Sequence, residues 1–206
     1  MTAVTPLLAF DVAKHEYRLH APDTPASWGR VLPSVTQVIQ AAGLVDGEEW
    51  FTEESRIRGR YVHKAVLYDE TVGLDESSID PALRGYIDAY RKFKRDVTLG
   101  PCDLIETPLA DPVLGFAGTP DQVRTVDGRT ALLDLKSGFR SAAHSLQTAA
   151  YVHLIGLHNG AWAALPRFVV YLAADGRYQI EENRDRRDWK VFTAALTLMQ
   201  YRETRR

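Results

Sequence analysis

The pair Asp127-Gly128 constrains this chain more than any other two residues. Asp-Gly accepts the positive φ angles of a two-residue type I′ turn, whose twist matches that of the strands it joins. The spacing therefore predicts a tight hairpin. In that hairpin Val126 faces Arg129 and, counting outward, Asp121 faces Asp134. Directly opposed residues hold their Cβ atoms about 4.5–5.5 Å apart. Lys136, two residues beyond Asp134, falls on the same face of the strand. A slip of one residue would send every side chain to the other face, so the register carries the whole expectation.

Two opposed carboxylates repel one another and destabilise a sheet. Here the repulsion sits among apolar neighbours, Ala131, Leu132, Leu133 and Leu135. A divalent cation between the carboxylates would turn that cost into a gain, and oxygen ligands suit Mg²⁺ or Mn²⁺, one ion or two. Removing one of the charges, as in Asp121→Asn, is then expected to raise the melting temperature of the metal-free protein. The plainer reading is a solvated sheet face, with Lys136 an ion-pair partner at the surface.

The rest of the chain reads as one α/β domain, a central mixed sheet flanked by helices. Residues 1–47 form a lead-in of strand, loop and helix, and residues 48–206 form the core. Glu16–Leu19 reads as an edge strand. Ser34 caps a helix over Val35–Ala42, which Gly43 ends. Glu48 to Thr71 is the longest helical signal, with Phe51, Ile57, Tyr61, Val62, Ala65 and Val66 as its apolar stripe. Pro81–Arg95 is a second helix. Three strands are expected between Cys102 and Lys136, then a helix over Ala142–Leu157. Strands follow at Arg167–Leu172 and Tyr178–Glu181, joined by Asp175-Gly176, and a last helix covers Arg187–Arg202.

Four short motifs stand in a telling order. Arg58-Gly59-Arg60-Tyr61-Val62-His63 comes first, then Gly118-Thr119-Pro120-Asp121, then Asp134-Leu135-Lys136, then Gln147-Thr148-Ala149-Ala150-Tyr151. Together they resemble the RGxxxH, PD, DxK and QxxxY motifs of the PD-(D/E)XK nuclease superfamily, in its RecB-like and phage-exonuclease-like branch. Leu32-Pro33-Ser34-Val35-Thr36 is similar to the lead-in of phage members. The resemblance implies a restriction-endonuclease-like core and hydrolysis of DNA phosphodiester bonds, first of all as an exonuclease in recombination, repair or phage DNA processing. It implies that Asp121, Asp134, the Leu135 carbonyl, His63 and Glu106 hold or orient Mg²⁺ or Mn²⁺. Lys136 would act on the attacking water, and Gln147 and Tyr151 would line the site. A structure-specific endonuclease on the same fold, or a silent DNA-binding module, remain the alternatives.

Arg56, Arg60 and His63 recur on one face of the long helix, so Arg56, Arg58 and Arg60 are the candidate phosphate contacts. The block Arg91, Lys92, Lys94, Arg95 reads as a solvated face. Trp28, Trp50, Trp162 and Trp189 read as core or interface aromatics. The net charge of −2 is a poor match to a typical nucleic-acid binder, so DNA affinity would need a local cationic surface plus bound metal. The resemblance adds a homo-oligomer and a recombination or replication protein to the expected partners. One cysteine, Cys102, cannot build an iron–sulfur cluster or a disulfide framework, which fits a cytoplasmic, reducing setting. No secretory signal or membrane span is expected.

Overall fold

The computed structural model describes residues 7–45 and 52–205. Three antiparallel strands open it: β1 (Leu7–Asp11), β2 (Glu16–His20) and β3 (Arg30–Leu32), with β2 in the middle. Glu16–Leu19 was expected at an edge. It is central because Arg30–Leu32, too short to show an alternating pattern, pairs along its free side.

Helix α1 (Val35–Ala41) follows. The Ser34 hydroxyl accepts from the Gln37 amide, and the Gln37 side chain accepts from the Ser34 amide, a reciprocal cap. Gly43, at φ 68°, ends the helix in the left-handed region. Helix α2 (Glu53–Glu70) starts from Thr52, whose side chain accepts from Ser55 N. The expected start at Glu48, with Trp50 and Phe51, lies outside the described residues. Helix α3 (Pro81–Asp96) has Asp80 as its cap and Pro81 in its first turn.

The remaining strands are β4 (Leu99–Ile105), β5 (Leu109–Asp111), β6 (Phe116–Gly118), β7 (Gln122–Val126), β8 (Arg129–Lys136), β9 (Arg167–Leu172) and β10 (Tyr178–Asn183). Helix α4 (Ala143–His158) lies between β8 and β9, and α5 (Arg187–Glu203) closes the chain. Five strands thus occupy the stretch where three were expected. The extra pair, β5 and β6, is a separate two-stranded hairpin of three residues a side. The main sheet has the order β10-β9-β8-β7-β4. All its neighbours are antiparallel except β8 and β9, which run parallel because α4 carries the chain back across the sheet.

Both faces of this mixed sheet are covered, and β8 feeds both cores by strict alternation. Leu132 packs with Val123, Leu154, Ile155 and Phe192 against α1, α4 and α5. Leu133 and Leu135 pack with Val62, Val66, Ile87, Tyr90 and Phe93 beneath α2 and α3. The sequence stripe of α2 was too wide: Ile57 and Tyr61 are 40% and 53% exposed. The basic block of α3 is a solvated face only in part: Lys92 and Arg95 are exposed, whereas Arg91 and Lys94 are half-buried. Arg91 reaches Asp69 and Glu76, and Lys94 reaches Glu70 and Asp69. Acidic residues of α2 and of the segment after it fold over that side of α3, a partner that periodicity within α3 cannot reveal. Trp162 and Trp189 join the core, whereas Trp28 is exposed on a short helical turn. No helix among the described residues is long and apolar enough to cross a membrane.

Candidate active site

The turn at Asp127-Gly128 has φ angles of 46° and 80°, the signature of type I′. The ladder pairs Val126 with Arg129 and runs to Gln122 with Leu133. Asp121 is the residue just before β7, and continuing that register by one step places it across from Asp134. Both are buried, at 5% and 0% exposure. The Asp121 Oδ2 accepts from Leu135 N at 2.6 Å across the strands. Lys136 Nζ lies 2.6 Å from Asp134 Oδ2, on the same face.

Glu106 arrives from the other side of β7. It follows β4 directly, donates its backbone N–H to the Asp121 carbonyl at 2.8 Å, and has a φ of 43°. Residues other than glycine adopt that region at a cost, and here it turns the carboxylate inward. Glu106 Oε1 lies 3.1 Å from His63 Nδ1, and Asp121 Oδ1 lies 3.3 Å from the same nitrogen. The other ring nitrogen of His63 is 3.0 Å from the Leu135 carbonyl oxygen. Ligand atoms of His63, Glu106 and Asp121 all fall within 4.8 Å of one another. Thus α2, the end of β4, the start of β7 and the end of β8 converge on one point.

The electrostatics divide the carboxylates. Burial pushes Asp134 up to about 6, Lys136 pulls it back, and Asp121 adds to the rise. Burial also raises Glu106. Asp121 goes the other way: burial opposes its charge, but His63, Lys136 and the Leu135 amide outweigh it and hold the carboxyl low. His63 is disfavoured as a cation by burial, yet Asp121 and Glu106 raise it well above the usual imidazole range. Burial acts against the Lys136 ammonium too, and Asp134 and Asp121 more than restore it. Lys136 is therefore a firm cation and His63 is held protonated between two carboxylates.

One group is only partly satisfied. The Lys136 ammonium lies 2.6 Å from Asp134 Oδ2 as an ion pair, and neither oxygen accepts any other hydrogen bond. A buried carboxylate so short of donors carries a free-energy cost that further positive charge would offset. The donor set, carboxylate oxygens with a backbone carbonyl and, once a cation displaces the His63 proton, one imidazole, is that of a hard divalent cation. The residues present therefore fit Mg²⁺ or Mn²⁺.

From α4, Tyr151 reaches the same face. Its hydroxyl accepts from Gln147 Nε2 at 2.9 Å, and burial together with Asp134 and Asp121 raises its pKa well above the usual phenol value. Gly118 makes room for that ring: a Cβ there would stand 2.7 Å from Tyr151 Cε1.

A cleft of about 230 Å³ opens beside the cluster. His63, the Leu135 backbone and Lys136 form one wall, and Arg56, Arg58 and Arg140 line its mouth. Arg58 Nε donates to the Ser137 carbonyl at 3.2 Å. Arg56 pairs with Glu53. Arg60 is exposed and lines neither of the two described clefts.

Three neighbours escaped the sequence reading. His144 lines the cleft, and its Nδ1 is 3.0 Å from the Tyr171 hydroxyl. Burial, then the Lys136 ammonium, lowers His144 to about 3, so it stays neutral. Tyr17 of β2 meets Thr119 at 2.8 Å, just before Asp121, and burial pushes its phenol up to about 12. None of these lies in a recognisable motif, and the only signal was a polar residue at an otherwise apolar position. No protein-family model matches this chain, and no curated protein matches it either.

Proposed function

We propose that this domain is a metal-dependent deoxyribonuclease with a restriction-endonuclease-like core, of the PD-(D/E)XK class that its motifs resemble. The observation that carries the reading is Asp134: a fully buried carboxylate, opposite Asp121, whose oxygens have only the Lys136 ion pair. Asp121, Asp134, Glu106, His63 and the Leu135 carbonyl would hold one or two Mg²⁺ or Mn²⁺ ions. When bound, the cation supplies positive charge to the phosphate and lowers the pKa of water.

The chain's own residues do the rest. Lys136, held as an ammonium, donates toward the attacking water or a phosphate oxygen and orients it; being firmly charged, it is no proton acceptor. Tyr151, kept as a neutral phenol, and Gln147 fix the α4 side of the site. Arg56 and Arg58 at the mouth contribute phosphate contacts in a protein whose net charge is −2. Exonuclease action is the first reading, because the RecB-like branch that the motifs resemble contains many enzymes that act on DNA ends.

Purified protein incubated with end-labelled linear, nicked and circular DNA tests this. Degradation of linear DNA in Mg²⁺ or Mn²⁺, absent in EDTA and in Asp134→Ala or Lys136→Ala, is expected. Cleavage of closed circles would make it an endonuclease. Metal-independent cleavage, or full activity of either variant, overturns the assignment, and DNA binding with no cleavage in any metal leaves a silent module.

A further inference from the structure

The space beside Lys136 does not stop at the loop spanning residues 137–142. On the far side of that loop a second cleft of about 530 Å³ opens, and the two share Arg58, Ser137, Gly138, Phe139 and Arg140. Its walls come from three elements: Tyr86 of α3, Tyr171 at the end of β9 and Tyr178 at the start of β10. Two arginines lie over two of these rings. The Arg58 guanidinium carbon is 5.8 Å from the Tyr86 centroid, and that of Arg140 is 5.4 Å from the Tyr171 centroid. Phe139, on the shared loop, is 71% exposed. Arg177, paired with Asp175, adds a third cation, and Arg140 stands 3.5 Å from Glu181; neither carboxylate lines either cleft.

Flat π and guanidinium surfaces interleaved with cations are what a nucleobase and its phosphate recognise together. In a duplex the base faces are already stacked on one another, so only unpaired bases can use such walls. The volume falls within the range of pockets for small organic ligands, roughly 300–1000 Å³, room for one or two nucleotides.

We propose that this second cleft holds one or two unpaired nucleotides adjoining the phosphate at Lys136, so that the preferred substrate is a single strand or a duplex end with a single-stranded overhang. The proposal rests on the phosphodiester-cleaving reading only for what lies at Lys136. The cleft's preference for unpaired bases is measured separately.

Fluorescence anisotropy in Ca²⁺ with a 12-nucleotide oligothymidine, a blunt hairpin duplex and the same duplex with a five-nucleotide overhang makes the test. Arg140→Ala and Tyr86→Leu are each expected to weaken binding of the oligothymidine and of the overhang at least about tenfold, and of the blunt duplex less than twofold. Tyr86→Phe, which keeps the ring, is expected to bind all three as wild type does. Arg140 lies on an exposed loop, so its variant folds even if Tyr86→Leu does not. Equal losses on single-stranded and blunt DNA, or no loss in Arg140→Ala, overturn the proposal. If wild-type protein cleaves no DNA but keeps this discrimination, the hydrolytic reading fails and the cleft assignment stands. If it cleaves blunt and overhanging ends equally and the variants bind normally, the reverse holds.

Discussion

Two clusters of charged residues are buried on opposite faces of the same strand, and they are built in opposite ways. On the α2–α3 side of β7, Arg124 donates to Glu70 and Gln122, while Tyr90 donates to Glu70 and accepts from Gln122. Lys94 completes the Glu70 contacts. Every carboxylate oxygen there is engaged, and the one orphan is Arg124 Nε. At the start of β7, three carboxylates face one lysine and one histidine, and Asp134 has only its Lys136 ion pair. The first cluster stabilises the fold as it stands. The second is short of positive charge, which the proposed cation would supply.

The sharpest way to break that contrast is to remove one lysine from each cluster. Lys136→Ala is expected to lower the DNA cleavage rate at saturating metal by about 10²–10⁴-fold. Lys94→Ala should leave the rate within twofold and lower stability instead. Equal effects in a single-turnover assay would erase the distinction between the clusters. Next in size is Arg124→Met. It leaves Glu70, only 8% exposed at its side chain, without its buried cationic partner, and should cost about 3 kcal/mol in urea denaturation while cleavage survives at temperatures where the variant is folded.

A smaller effect sharpens the comparison by its sign. The sequence suggested that Asp121→Asn would relieve the repulsion. The structure moves the burden to Asp134, since Asp121 is well partnered and held ionised. A carboxyl raised to about 6 binds its proton more tightly folded than unfolded, so the metal-free protein loses stability as pH rises from about 4 to about 6. Asp134→Asn should remove that loss and raise the metal-free melting temperature at pH 7 by about 3 °C. Asp121→Asn should lower it. The reverse order in calorimetry would mean that Asp121 carries the strain. The smallest effect on cleavage is expected at Gly118→Ala, whose methyl crowds the buried Tyr151 ring and Val35; it should slow cleavage about tenfold and cost about 1–3 kcal/mol of stability.

The hairpin register was legible because a two-residue turn leaves the chain one way to pair. Ser34, Gly43, Pro81 and Gly176 marked element ends for similarly local reasons. The convergence of His63, Glu106 and Asp121 was visible only through the resemblance of motifs, since nothing local tells α2 to lean on the ends of β4 and β7. His144 and Tyr171 were missed because they meet across the α4 crossover. The ion pairing of Arg91 and Lys94 was missed because their partners, Asp69, Glu70 and Glu76, lie on α2 and the segment after it. Glu106 at a φ of 43° was not foreseeable, because glutamate carries no turn signal.

Calorimetric titration of Mn²⁺ into the protein at pH 7.5 decides whether the carboxylate cluster holds a cation. Saturable binding of one or two ions is expected in wild type, lost in the Asp121→Asn, Asp134→Asn double variant and unchanged in Arg124→Met. No binding to folded wild-type protein, or equal binding to the double variant, would contradict a cation site there.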